Sequence, residues 1–243
     1  MTASAFARTS SGFTIIGHRG ARGHAPENTL AGLEAGIRLG ADALEFDVQL
    51  HSSGHLFLLH DLRLERTTNG RGRAADCSWD ELRRLDAGTG ERIPTLTEAL
   101  DCINRRVAVN IELKTWNGTA AAVAEVLRGF LAKGWHAEDF LVSSFHLPEL
   151  REFRQRLPEI PLGALYAGLP LHGFKDALEL GAEYVNLSSE FADAAIVAGA
   201  RERGLKVMIY TVNEPDEMLR WKREGASGVF TDDPQAARKA FSR

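Results

Sequence analysis

A chain of 243 residues with 44% apolar and 26% charged side chains has the composition of an ordinary folded protein and can bury a sizeable core. Its formal net charge of -4 excludes a basic footprint for nucleic acid and a polybasic patch for stable membrane association. No apolar run approaches the roughly 20 residues of a membrane span, the N-terminal stretch lacks the pattern of a secretory leader, and Cys77 and Cys102 are far from any zinc spacing, so the expectation is a soluble cytoplasmic protein with two structural thiols.

The first apolar run, 13–17, reads as a short buried strand. A turn with Gly20 and Gly23 follows. Pro26-Glu27-Asn28-Thr29 then opens a helix with apolar positions at Leu30, Leu33, Ile37 and Leu39, stopping at Gly40. Residues 43–50 form a second strand that carries Glu45 and Asp47. After the turn Ser52-Ser53-Gly54, residues 56–60 are extended again, which predicts a hairpin. Residues 61–95 are polar and rich in Arg and Gly. Leu62, Leu64, Trp79, Leu82 and Leu85 recur through them, which predicts an elaborated connection rather than a linker. Inside it, Ser78-Trp79-Asp80-Glu81 fits a capping box, and another helix follows Pro94-Thr95.

Beyond this segment the rhythm is regular. Strands at 107–113, 140–143, 162–166, 184–187, 206–212 and 228–231 alternate with helices near 119–133, 147–156, 172–180, 191–203 and 214–223, and a last helix runs from Pro234 to the end. Gly134, Gly181, Gly204 and Gly225 sit where helix C-caps are wanted. Strict alternation implies parallel strands. With the hairpin and polar segment counted as an insertion after strand two, eight strand–helix units predict an α/β fold, a (β/α)8 TIM barrel. The expectation is one catalytic domain over 1–243 with the insertion at about 51–95. An open doubly wound sheet would want a glycine-rich dinucleotide fingerprint, which Gly17-His18-Arg19-Gly20 does not match.

A barrel places its chemistry at the C-terminal ends of its strands. His18 closes strand one. Glu45 and Asp47, at i and i+2 on strand two, point to one face, and Glu112 and Lys114 repeat the spacing on strand three. Neighbouring strands lie about 5 Å apart, so Glu45, Asp47 and Glu112 can converge on one cation. Oxygen ligands favour Mg²⁺, Ca²⁺ or Mn²⁺ over zinc. Taken alone, each acid is more often a solvated or ion-paired residue, and Glu112 has Lys114 as an obvious partner. Three acids turned inward by strand parity are harder to dismiss, because unpaired buried charge is costly. His18 and His60 flanking a cation suit general acid–base work on the two sides of a phosphorus, and Arg19 suits a phosphate oxygen. The plainer alternatives are a packed turn residue for His18 and a hairpin cap for His60. His24, His51, His55, His136, His146 and His172 are expected in loops or on the surface.

His18-Arg19-Gly20, Pro26-Glu27-Asn28-Thr29, Glu45-Phe46-Asp47-Val48-Gln49, His60-Asp61, Arg66-Thr67-Thr68-Asn69-Gly70, Ile93-Pro94-Thr95-Leu96 and Ile111-Glu112-Leu113-Lys114 together match a known pattern. So do Ser143-Ser144-Phe145, Thr211-Val212-Asn213 and Thr231-Asp232-Asp233-Pro234. In this order they resemble the glycerophosphodiester phosphodiesterases, over essentially the whole chain. The resemblance implies a TIM barrel and hydrolysis of small-molecule glycerophosphodiesters, such as glycerophosphocholine and glycerophosphoethanolamine, to sn-glycerol 3-phosphate and an alcohol. It implies one divalent cation on Glu45, Asp47 and Glu112, acid–base roles for His18 and His60, and phosphate contacts from Arg19 and Lys114. Glu27 and Asn28 fall beside the site, with capping of the following helix as the alternative for Asn28. Tyr210 stands where the family often has tryptophan, keeping an aromatic wall and adding a hydroxyl. Loops near 143–148, 166–173 and 188–190 are expected to read the head group. A lysophospholipase D-type activity ranks lower, since no extra apolar loop is evident, and a non-catalytic phosphodiester-binding barrel has no need of two histidines.

Overall fold

A computed structural model describes residues 12–242; the N-terminal stretch read above for a leader lies outside them. The chain runs β1 (Thr14–Gly17), α1 (Leu30–Arg38), β2 (Ala43–Leu50), β3 (Leu56–Leu58), α2 (Trp79–Arg84), α3 (Leu96–Ile103), β4 (Ala108–Leu113) and α4 (Thr119–Ala132). It continues through β5 (Phe140–Ser144), α5 (Leu147–Arg156), β6 (Leu162–Tyr166), α6 (Lys175–Glu179), β7 (Tyr184–Ser188) and α7 (Ala194–Glu202), then β8 (Lys206–Tyr210), α8 (Pro215–Arg223), β9 (Gly228–Thr231) and α9 (Pro234–Phe241). All barrel pairings are parallel, in the order β1-β9-β8-β7-β6-β5-β4-β2, and β1 pairs with β2 to close the ring. β3 alone is antiparallel, hung on the end of β2 with Leu50 opposite Leu56. The (β/α)8 TIM barrel with an insertion after the second strand is therefore the fold. Among the described residues no helix is long and apolar enough to cross a membrane.

Alternation along the strands builds two apolar layers. Ile16, Ala43, Ala108, Leu141, Tyr184, Met208 and Phe230 fill the barrel interior. Their sequence neighbours Ile15, Leu44, Val109, Val142, Val185 and Val229 turn outward beneath the helices. The insertion carries its own small core, with Phe57, Leu64, Leu82 and Ile93 at its centre. A polar segment with a private core keeps one shape, which a linker would not.

Local signals account for the element ends. Ser78 and Thr95 both make reciprocal capping boxes, with Glu81 and Glu98. Thr29, not Asn28, caps α1 by accepting from the Gly32 N–H. That leaves the Asn28 side chain for other work. β3 ends at Leu58, two residues earlier than the run 56–60 suggests, so His60 stands on the loop beyond the hairpin.

Candidate active site

Strand parity sends Glu45 and Asp47 of β2 and Glu112 of β4 to the barrel interior. In register, Asp47 faces Glu112 across the β2–β4 ladder. All three are buried, at 2%, 1% and 9% exposure, and one oxygen from each lies within 4.8 Å of the others. The side chain of every acid has a partner. The Arg19 backbone N–H donates to Glu45 Oε2 at 2.9 Å. Asn28 Nδ2 donates to Asp47 Oδ2 at 2.8 Å, while Asn28 Oδ1 accepts from the Asp47 backbone N–H. Lys114 Nζ lies 2.7 Å from Glu112 Oε1 and 3.6 Å from Asp47 Oδ1. The ion pair between Glu112 and Lys114 thus exists alongside the carboxylate cluster, not in place of it.

Two cations do not balance three buried acids. Burial, reinforced by the Asp47 charge, pushes Glu112 up to about 7 and Glu45 well above the carboxylate range. Burial opposes the charge on Lys114, but Glu112 and Asp47 outweigh it and raise its pKa. The same balance holds at Arg19, whose Nη1 donates to Glu27 Oε1 at 2.7 Å.

His18 follows β1 and continues its ladder, its backbone N–H donating to the Thr231 carbonyl. Its Nδ1 lies 2.6 Å from Asp232 Oδ1. His60 repeats the arrangement, with Nδ1 2.6 Å from Asp61 Oδ1. A carboxylate on Nδ1 fixes the tautomer and leaves Nε2 for proton exchange. Burial lowers the pKa of His60, with Lys114 and Arg19 adding to the effect. A cavity of about 240 Å³ opens among these groups, lined by His18, Arg19, Glu45, His60, Glu112 and Lys114. Phe145, Leu165, Tyr210 and Phe230 give it an apolar side.

Glu27 lies outside the cavity lining and supports it. Arg66 bonds both Glu27 oxygens at 2.8 Å and Asp61 at 2.6 and 3.1 Å. Burial alone would raise the Glu27 carboxyl, but Arg66 and Arg19 hold it down at about 2. Asp61 is depressed by the same guanidinium. Tyr210 presents its ring, edge-on to Phe145 with centroids 6.0 Å apart. Its hydroxyl donates to the Tyr166 carbonyl at 2.9 Å, so the added polarity expected of it is spent on the backbone. Of the loops expected to read the head group, only 143–148 reaches the cavity, through Phe145.

Sequence reading left Asp232, Asp61 and Arg66 without roles. Asp61 had a signal, since it follows His60 directly. Asp232 had one only through closure: Gly17 pairs with Thr231, so the next residue on each strand is His18 and Asp232. His51 lies in the loop after β2, as expected, but it is 4% exposed, and its Nε2 donates to the Cys77 carbonyl at 2.9 Å inside the insertion.

Comparison with known proteins agrees with this geometry. A model of the glycerophosphoryl diester phosphodiesterase family matches residues 18–236. A glycerophosphodiester phosphodiesterase of Caldanaerobacter subterraneus is 36% identical over 234 residues, covering 91% of this chain and 94% of that protein. One from Bacillus altitudinis is 32% identical over 241 residues, covering 93% and 96%. An Oleispira antarctica phosphodiesterase, solved in complex with the product sn-glycerol-3-phosphate, superposes with a TM-score of 0.89 at 31% identity, over 99% of this chain and all of that one. The match of family model, full-length relatives and barrel establishes that this chain belongs to the glycerophosphoryl diester phosphodiesterase family.

Proposed function

We propose that this protein hydrolyses glycerophosphodiesters such as glycerophosphocholine and glycerophosphoethanolamine to sn-glycerol 3-phosphate and an alcohol. One observation carries the reading. Two imidazoles, each held through Nδ1 by a carboxylate at 2.6 Å, line one cavity together with Glu45 and Glu112 of the buried carboxylate cluster. The product-bound Oleispira relative supports the same end product.

The donor set fits a hard divalent cation. Three buried carboxylate oxygens lie within 4.8 Å of one another, and burial, reinforced by their mutual repulsion, raises Glu45 and Glu112. Glu45, Asp47 and Glu112 would hold Mg²⁺ or Ca²⁺, with Mn²⁺ also suited. When bound, such an ion neutralises charge on the phosphoryl oxygens. Arg19 and Lys114 bring fixed positive charge to the same oxygens. Of His18 and His60, the neutral ring accepts a proton at Nε2 from the attacking hydroxyl, and the protonated ring donates one to the departing oxygen. The pair serves equally whether water attacks directly or the glycerol 2-hydroxyl attacks first.

The test is release of sn-glycerol 3-phosphate from glycerophosphocholine before and after chelation and metal stripping. Loss of activity on stripping and recovery with Mg²⁺ or Ca²⁺ are expected. Full turnover in the stripped protein would remove the cation from the proposal, and tight binding without product would leave a non-catalytic barrel.

A second reading has an observation of its own. Leu62, Trp116 and Phe145 are 41%, 53% and 45% exposed, and Leu62 and Trp116 line a groove of about 490 Å³ together with Leu50 and Phe57. This is the apolar surface that the sequence did not reveal, and it would suit the acyl chain of a lysophospholipid. Rates on lysophosphatidylcholine against glycerophosphocholine decide between the two.

A further inference from the structure

The two carboxylate oxygens of Asp232 have different partners. Oδ1 lies 2.6 Å from His18 Nδ1. A carboxylate oxygen only accepts, so Nδ1 carries the hydrogen. Oδ2 accepts from Asn213 Nδ2 at 3.1 Å. The other end of the same amide accepts twice: Asn213 Oδ1 takes the Asp232 backbone N–H at 2.9 Å and the Thr231 hydroxyl at 3.2 Å. These partners allow a single orientation of the amide. A flip would set an amide oxygen against a carboxylate and two N–H donors against each other. Asn213 therefore grips Asp232 by backbone and side chain at once. The same pair of bonds recurs in the site, where Asn28 holds the side chain and the backbone N–H of Asp47.

The barrel brings these residues into a row. β8 ends at Tyr210, but the Val212 N–H donates to the Phe230 carbonyl at 2.8 Å and carries the β8–β9 contact further. β9 in turn pairs with β1, Gly17 opposite Thr231. Asn213, Asp232 and His18 thus stand beyond the ends of neighbouring strands, about 5 Å apart, within reach of one another's side chains. Thr231 is buried, and its hydroxyl also accepts from the Asp233 N–H, which anchors the accepting end of Asn213. Gly23 N–H holds the Asp232 carbonyl at 2.9 Å. Arg22 approaches Oδ2 only to 4.0 Å, beyond a hydrogen bond. Among the described residues Asn213 therefore supplies the hydrogen bond that fixes Oδ2 and, with it, the plane of the carboxylate. Burial opposes charge on Asp232, but the hydrogen bonds from His18 and Asn213 hold its pKa below the usual carboxylate range.

We propose that Asn213 is a positioning residue for His18: by fixing the Asp232 carboxylate it holds the imidazole in the tautomer and orientation that leave Nε2 for proton exchange. The inference rests on the phosphodiesterase reading above. Asn213 is exposed and is not among the residues lining the catalytic cavity, so it acts through Asp232 rather than on the substrate. Outer partners of this kind govern the orientation of the groups they hold.

Two variants separate this role from simple support of the loop. Asn213→Asp has the same shape and keeps an oxygen for the Asp232 N–H and the Thr231 hydroxyl, but it loses the donor to Oδ2 and sets a second carboxylate against it. Asn213→Ala removes both halves of the grip. The experiment measures kcat and KM for sn-glycerol 3-phosphate release from glycerophosphocholine in the Mg²⁺-loaded proteins, and the ¹⁵N signals of the His18 ring. Both variants are expected to lower kcat by ~10-fold or more, with a smaller change in KM, and Asn213→Asp should lose at least as much as Asn213→Ala. The His18 ring should lose its single Nδ1–H tautomer in both. Wild-type kcat in Asn213→Asp overturns the proposal, because the accepting oxygen alone then suffices. A fall in kcat with unchanged His18 ring signals overturns it as well. Asn213→Asp keeps the contacts to backbone and hydroxyl, so it tests the proposal even if Asn213→Ala fails to fold. Absence of product from the wild type would overturn the phosphodiesterase reading instead. The ring signals need no turnover and then judge the positioning alone, where an unchanged tautomer in Asn213→Asp overturns it.

Discussion

Arg66 joins two parts of the site through a single guanidinium. It bonds Asp61, which holds His60, and Glu27, which holds Arg19. It is not among the residues lining the catalytic cavity, so under the proposed mechanism its role is positioning. Arg66→Ala is expected to lower kcat by about 10–100-fold, the usual cost of losing an outer partner of a catalytic group, with a smaller change in KM. The pH–rate profile should shift as well, because His60 loses the support of a fixed Asp61. Arg66→Lys should restore little, since one ammonium cannot reproduce a fork that bonds two carboxylates. Measured kcat, KM and pH profile all matching wild type would rule the role out. Legibility at this scale was uneven. Strand parity alone brought Glu45, Asp47 and Glu112 together. The Arg66 link between loops was not readable, because its partners lie 5 and 39 residues away on irregular chain.

The β1–α1 loop is shaped by close backbone approach. Gly20 has φ +91°, and a Cβ there would stand 2.5 Å from the carbonyl carbon and oxygen of Gly32 in α1. Only a residue without a side chain lets this loop lie against the helix. The neighbouring Arg19 and Asn28 also take positive φ, 50° and 56°, and their backbone and side-chain groups bond Glu45 and Asp47. Gly20→Ala is expected to destabilise the fold by about 2–5 kcal/mol, combining overpacking with strained backbone. Urea unfolding measures this, and a midpoint within error of wild type would contradict the packing argument. The elements themselves were largely legible from apolar period and turn residues. The cap of α1 and the end of β3 were not, since a one-residue choice between Asn28 and Thr29 depends on what else each side chain can bond.

The carboxylate cluster ties the stability of the whole molecule to pH and to cation. Glu112 is raised to about 7 by burial and Asp47. Without a cation, the folded state keeps a proton there that the unfolded chain has released above about pH 4.5. This contribution to stability is present at low pH and lost as pH rises through about 7. A cation needs the ionised form and so competes with the proton. Thermal melts should therefore give a larger gain from Mg²⁺ or Ca²⁺ at about pH 8 than at about pH 5.5. Equal gains at both would count against this cluster as the cation site. By itself the sequence determined the barrel, the eight repeating units and the inward set of acids, because period and parity are local properties of a chain. Only the tertiary structure decided the partner of His18, the apolar groove lined by Trp116 and the burial of His51. Asp232 lies 214 residues from His18 and meets it because the ring closes. The exposure of Trp116 depends on what other segments leave uncovered, which no local pattern records.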